Sequence, residues 1–379
     1  MQQIDSAIKH YQKSLRINAA NVSAHNNLGA LLIDRNKYTA AIRHFKRALN
    51  LNPLNPEAFY NLGSTFLLMS NPEAALKYFL RLSQIKPEFD VYYNLGVIYR
   101  QLHRHRDAII YFAKALELKP DAIEVNVNLA EIYLDIQDYA QAINHYQVLH
   151  AIDPQNKEID YMLAALSNDE NLSLQKAPKE YVTHLFDQYA DHFEKHLAAL
   201  QYQAPQLLYA AVTEIIGFCR EKLNILDLGC GTGLAGEKFR VAAKKLIGVD
   251  LSQKMLDVAQ TKQIYDELLC ASMEDVIGEY CDLDLIIAAD VLVYVGDLVL
   301  IFALCAKALK KHGIFVFTLE RTDTHPYLLQ KSMRFAHNEK YIENLAQIHG
   351  FEVLRHEHVV LRKQRNIPVA SVIYVLKTP

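Results

Sequence analysis

The residues best suited to chemistry lie between positions 224 and 250. Three glycines alternate at Gly229, Gly231 and Gly233, just after a short apolar run that contains Asp227. Glycines so closely spaced let a backbone approach a ligand to van der Waals contact, because no Cβ intervenes. A helix opening near Gly233 would aim its unpaired N–H groups at the same point. A second apolar run, 246–249, ends in Asp250, a carboxylate placed to hold both hydroxyls of a ribose. Together these residues describe a nucleoside site at the carboxyl edge of a parallel sheet. Counted from Gly229, the nicotinamide fingerprint Gly-x-Gly-x-x-Gly fails, since its third glycine would fall on Leu234.

The string Leu226-Asp-Leu-Gly-Cys-Gly-Thr-Gly233 resembles motif I of the class I S-adenosylmethionine (SAM) methyltransferases. The resemblance implies SAM as cofactor. It implies that Gly229, Cys230, Gly231 and Gly233 line the methionine and ribose portions, and that Asp227 helps place the amino group. Asp250 would take the ribose diol, with Leu251 beside it. Relatives often carry an acid after strand three that reads the adenine amino group. Here Ser272 stands in that place, and Met273 would offer its backbone N–H. Asp290 and Tyr294 follow strand four, at the mouth of the crevice.

Methyl transfer is an in-line displacement at a sulfonium carbon, so alignment and exclusion of water matter most and no metal is required. An oxygen or nitrogen acceptor can also need a base. The segment Arg334-Phe-Ala-His337 is similar to an Arg-Tyr-Ala-His element of methyltransferases that carry tetratricopeptide repeats. It nominates His337 as base and Arg334 as an acceptor contact, with Tyr294 nearby. The segment 181–197 resembles the entry helix of the same family, which lies over the cofactor as a lid. Tyr189 and Phe193 are its candidates for touching the cofactor.

The elements that position these residues alternate strand and helix from 224 onward. That pattern predicts an α/β Rossmann-like domain with a mostly parallel seven-stranded sheet. Its strands fall near 224–229, 245–250, 267–271, 284–289 and 313–320. An antiparallel hairpin, 351–361 with 368–377, turns around residues 365–368. The catalytic domain spans 181–379, with a helical lid at 181–217, and a polar linker covers 169–180. The loop 321–338 would border the acceptor.

The first half reads differently. Only three of the 13 glycines precede residue 171. Gly29, Gly63 and Gly96, joined by Ala130, recur at about 34 residues, and so do three other columns. These are Ala41, Ala75, Ala108 and Ala142; Phe45, Phe79, Phe112 and Tyr146; and Pro53, Pro87, Pro120 and Pro154. The columns resemble the tetratricopeptide repeat (TPR) and imply an all-α solenoid. Small residues let paired helices approach, the aromatic plugs the gap, and proline stops the second helix. The array occupies 1–168: a partial repeat at 1–21, four repeats over about 22–156, and a capping helix at 157–168. The partial repeat fits a truncated gene or a shortened chain.

Asn27, Asn61, Asn94 and Asn128 form a further column on the first helix of each unit. In the family that helix lines the concave surface, and a similar asparagine ladder grips peptide backbones in O-GlcNAc transferase. An amide donates and accepts, as a peptide bond requires. Asn-Leu-Gly is also a common consensus of such repeats, so peptide binding and plain consensus both stand. The groove lacks the Lys and Arg set that clamps acidic chaperone tails.

The formal charge of −3 gives no reason to expect nucleic acid. The five cysteines are odd in number and lack C-x-x-C spacing, which fits neither a disulfide framework nor a zinc site and agrees with a cytoplasmic location. No apolar run reads as a membrane span. Three readings follow. The first is a SAM-dependent methyltransferase whose repeats recruit a protein partner or substrate. The second is a small-molecule enzyme, because the domain also resembles ubiquinone-pathway O-methyltransferases. The third is a SAM-binding scaffold without turnover. The acceptor and the oligomeric state are not specified by the sequence.

Overall fold

The computed structural model describes residues 2–167, 174–217, 222–364 and 367–379. The chain divides into two compact units, Met1–Gln155 and Asn156–Pro379.

The first unit is helical throughout. α1 (Gln2–Ile17) is followed by the pairs α2 (Val22–Ile33) and α3 (Tyr38–Leu51), α4 (Pro56–Leu68) and α5 (Pro72–Ile85), α6 (Phe89–Gln101) and α7 (His105–Leu118), and α8 (Ile123–Asp135) and α9 (Tyr139–Ile152). Asn21, Asn55 and Asn71 cap α2, α4 and α5 through side-chain oxygens. The glycine column has a steric cause: a Cβ on Gly63 or Gly96 would stand 2.5 Å from the ring of Phe79 or Phe112. Phe45, Phe79 and Phe112 are fully buried. Within each pair the chain turns through a left-handed residue, Asn36, Ser70, His103 or Gln137. None of these is glycine, so the sequence carried no mark of them.

The second unit begins with α10 (Lys157–Leu166), which corrects the expectation of a cap belonging to the array. Tyr161 on α10 is fully buried, donates its hydroxyl to the Met333 carbonyl at 2.9 Å and packs against Tyr181 and Phe335. Of the expected linker, 169–173 lies outside the described residues. The part that follows is bound: Gln175 accepts the Gly296 N–H, and Ala177 donates to the Tyr294 carbonyl. The lid is two helices, α11 (Lys179–Tyr189) and α12 (Phe193–Ala199), parted by a 3-10 turn; α13 (Ala204–Ile216) follows.

The sheet then builds from β1 (Leu223–Leu228), α14 (Leu234–Phe239), β2 (Ala243–Asp250), α15 (Gln253–Thr261), β3 (Glu267–Cys270), α16 (Met273–Ile277), β4 (Leu283–Ala288), α17 (Val299–Ala308) and β5 (Leu309–Arg321). β6 (Tyr327–Leu329), β7 (Phe335–His337), α18 (Glu339–Ile348), β8 (Glu352–Gln364) and β9 (Ile367–Lys377) complete it. Among the described residues the order is β3-β2-β1-β4-β5-β7-β6, with β9 antiparallel on β5 and β8 antiparallel on β9. Among the described residues the sheet therefore has nine strands, not seven. The surplus is β6 and β7, inside the segment expected to be a loop. Three-residue strands are too short to show an alternation, and β7 is recruited by the overhanging end of β5, at Glu320 and Arg321. Two apolar layers sandwich the sheet. Phe302, Phe315, Phe317 and Tyr374 lie on one face, and Leu208, Ile225, Phe239 and Val375 on the other. Residues 365 and 366 of the final turn lie outside the described residues. No described helix is long and apolar enough to cross a membrane.

Candidate functional site

Parallel pairing of β1 with β2 and β4 brings Asp227, Asp250 and the segment after β4 to one edge. Gly229, Gly231 and Gly233 all adopt left-handed backbone, with φ of 60°, 54° and 90°. Glycine alone takes three such turns in five residues without strain. A Cβ on Gly229 would also strike Val291.

Asp250 is tied to the loop it faces. Its Oδ2 accepts the Gly231 N–H and its Oδ1 the Ser252 N–H, both at 2.9 Å. Burial pushes its carboxyl up, against the pull of these N–H groups and that of Leu251. Each oxygen keeps further acceptor capacity. Asp227 is fully buried. Its Oδ2 accepts the Tyr265 hydroxyl at 2.7 Å, and no protein group meets its Oδ1. Burial is the main force that pushes Asp227 up to about 7, and nearby Asp250 adds to it. Cys230 is buried, donates its N–H to Val249, and has its thiol pushed up by burial, so it is no nucleophile. Ser272 is buried and gives its hydroxyl to Asp275 at 2.6 Å, while Met273 opens α16.

The lid is bonded to this loop. Ser252 Oγ donates to Asp187 at 2.5 Å, and Thr232 Oγ1 donates to Glu194 at 2.8 Å. Phe193 is the side chain facing Gly231, and Phe186 packs edge-on against both Phe193 and Tyr294. Tyr189 is 44% exposed and packs on His196.

Beyond β4 lies a charged cluster. Asp290 holds a left-handed φ of 59°, and its N–H donates to Thr318. Its carboxylate pairs with both Arg334 and Arg362, and Glu320 pairs with the same two arginines, at 2.7 and 2.6 Å. Arg334 also donates to the Tyr294 hydroxyl at 3.3 Å. Tyr294 is 8% exposed, and burial raises its hydroxyl above the usual range. Arg334 is thus engaged by two carboxylates, which leaves it little capacity as an acceptor contact. Arg362 was missed by sequence reasoning, because it sits in a strand of alternating charge that reads as solvent-facing.

His337 lies deep in the fold. It is 1% exposed, and its Nε2 donates to the carbonyls of Val295 and Gly296 at 2.9 and 3.1 Å. Burial pushes it down to about 4, so the ring is neutral at physiological pH. It locks the segment after β4, and its Nδ1 is buried with no protein partner.

In the first unit, Asn27, Asn61, Asn94 and Asn128 recur on α2, α4, α6 and α8, each partly or fully exposed. Their amides are not uniformly open. Asn27 donates to the Tyr11 hydroxyl, while Asn94 and Asn128 donate back to the carbonyls of Asp90 and Glu124. Arg100 occupies the Asn128 oxygen at 2.6 Å.

Residues 226–317 match the family model described as a methyltransferase domain. Residues 1–34, 31–70, 56–89, 89–122 and 127–158 match tetratricopeptide repeat models. Methyltransferase-like protein 27 from Homo sapiens is 36% identical over 89 residues, which is 23% of this chain and 36% of that protein. Ubiquinone biosynthesis O-methyltransferase from Bartonella quintana is 35% identical over 107 residues, 27% of this chain and 43% of that one. The match therefore spans less than half of either relative. Magnesium protoporphyrin IX methyltransferase from Synechocystis PCC 6803, solved with bound S-adenosylhomocysteine (SAH), aligns at TM-score 0.42 and 15% identity, covering 53% of this chain and 99% of that one.

Proposed function

We propose that this chain, in which tetratricopeptide repeats precede a methyltransferase domain, transfers a methyl group from SAM to an oxygen or nitrogen acceptor. The observation that carries the reading is Asp250. Its two oxygens are fixed by N–H groups from the glycine loop and from Ser252, which leaves a preset pair of acceptors for a vicinal diol. The partnerless Oδ1 of Asp227, buried behind the loop, is suited to an ammonium group or to a water that bridges to one. Both features fit the adenosyl and methionine ends of SAM.

When bound, SAM supplies a methyl group on a sulfonium, a leaving group that needs no protonation. The chain's own work is then positional. The glycine loop admits close approach, and Phe193 and Phe186 cover it and exclude water. Asp290, Tyr294, Arg334 and Arg362 form the polar wall on the acceptor side, and their mutual ion pairs hold that wall rigid. His337 stiffens the segment that carries Tyr294 and leaves proton transfer to other groups. Asp290 and Tyr294 are the candidates to touch the acceptor. The asparagine column of the repeats, together with half-exposed Tyr60 and Tyr93, supports docking of an extended protein segment.

Calorimetric titration with SAH tests the cofactor assignment. Asp250→Ala removes charge-assisted bonds that contribute roughly 1.5–3 kcal/mol, so affinity should fall by about one to two orders of magnitude. Unchanged affinity in a folded variant would sink the assignment. Lysate fractions incubated with the chain and methyl-labelled SAM test the acceptor class, with label expected in protein. The match to ubiquinone O-methyltransferases over the catalytic segment favours a second reading, a small aromatic hydroxyl acceptor. Label confined to small metabolites would put that reading first.

A further inference from the structure

We propose that Glu339, His356 and His358 form a binding site for a divalent transition metal of the zinc class, placed away from the cofactor loop.

The site arises from strand geometry. His356 and His358 lie two apart on β8, so both rings project from one face of the strand. The residues between and before them, Glu357 and Arg355, pair with each other at 2.5 Å on the opposite face. His356 stands opposite Tyr374 on β9 and stacks on its ring, with centroids 4.8 Å apart and planes within 8°. That contact holds the imidazole edge-on to the third ligand.

The third ligand comes from another element. Glu339 is the first residue of α18, and it presents one oxygen to each histidine. Oε1 is 2.7 Å from His358 Nε2, and Oε2 is 3.4 Å from His356 Nε2. One donor atom from each of the three residues falls within 4.8 Å of the others. A tetrahedral ion with bonds near 2.0–2.1 Å holds its ligand atoms roughly 3.4 Å apart. Small rotations of the half-exposed His358 ring and of the Glu339 carboxylate close the difference. Two imidazoles and one carboxylate select zinc, cobalt, nickel or copper over magnesium or calcium, which favour all-oxygen sets. The remaining coordination position faces solvent.

Arg321, the last residue of β5, lies 2.5 Å from Glu339 Oε1. Its Nε makes no hydrogen bond there, and its charge tempers the affinity for a cation. An ion here clips the start of α18 to the outer strand of the sheet, next to the segment that leaves β5.

The test uses the full chain, stripped with chelator and titrated with Zn2+ by calorimetry and with Co2+ by visible absorption. The wild-type chain should bind one ion with a tetrahedral Co2+ spectrum, and Zn2+ should raise its Tm. His358→Ala removes an exposed ring and should preserve folding, checked by circular dichroism and SAH binding. It should lose the spectrum and the Tm rise, and weaken Zn2+ by at least about tenfold. Glu339→Gln should do the same. A paired substitution at His103 and His105, which lack a carboxylate partner, should leave all three signals intact. The proposal is overturned if His358→Ala binds as the wild type does, or if the Co2+ spectrum stays that of the hydrated ion.

Discussion

Tyr265 donates its hydroxyl to Asp227 at 2.7 Å, and its ring fills the space that a Cβ on Gly233, Gly236 or Gly248 would need. One side chain thus braces the glycine loop from behind and supplies the main donor to the buried acid. Tyr265→Phe keeps the brace and removes the donor. It should cost about 1–3 kcal/mol of stability, because a buried acceptor loses its partner, and weaken SAH by about tenfold. Urea unfolding and calorimetry measure both. A Phe variant as stable as the wild type would mean that water already serves Asp227.

Asp227 and His337 tie stability to pH with opposite signs. Asp227 goes from a usual value of 3.8 up to about 7 on folding. The folded chain then binds more protons in that window, so this acid lowers stability as pH rises from about 4 to 7. His337 goes from 6.5 down to about 4. Here the unfolded chain binds more protons, so stability rises with pH over about 4 to 6.5. The two trends oppose each other in the wild type. Asp227→Asn should expose a stability that climbs with pH between 5 and 6.5, and His337→Gln one that declines. Urea midpoints across pH 5–8 decide the matter, and parallel curves for all three proteins would contradict it.

His337→Gln also tests the assigned role of that ring. Loss of its bonds to Val295 and Gly296 should destabilise the fold by about 1–3 kcal/mol and leave SAH affinity unchanged. A stable variant whose methyl transfer drops by roughly 100-fold or more would return His337 to the role of base.

Arg362 and Arg334 share Asp290 and Glu320. Arg362→Ala leaves buried carboxylate charge half-compensated, which typically costs 3–5 kcal/mol. Arg362→Lys retains the charge but not the fork that spans both acids, and should recover only part of it. Full recovery by lysine would show that charge alone matters there.

Asn61→Ala with Asn94→Ala should leave folding and SAH affinity intact. Methylation of a protein acceptor should weaken through substrate binding, and transfer to a small acceptor should not change. Equal activity toward a protein acceptor before and after the substitution would reduce the column to repeat consensus.

The repeats were legible because their periodicity states the same helix pairing several times. The glycine loop was legible because its backbone conformation excludes other residues. Tyr265, Arg362 and the Asp187–Ser252 bond were not. Each depends on a contact between distant segments, and nothing in the local run of residues around 265, 362 or 187 distinguishes it. The surroundings of His337 were hidden for a related reason. A histidine beside an arginine reads as chemistry until its burial and its two carbonyl partners are known.

The hydrogen bonds from Ser252 to Asp187 and from Thr232 to Glu194 tether both lid helices to the cofactor side. Phe193, on the second of these helices, stands over Gly231 of the glycine loop. Product exchange therefore shares a barrier with lid release, and turnover is expected to be paced by that opening and not by the methyl displacement. In pre-steady-state kinetics this signals itself as a first turnover faster than those that follow.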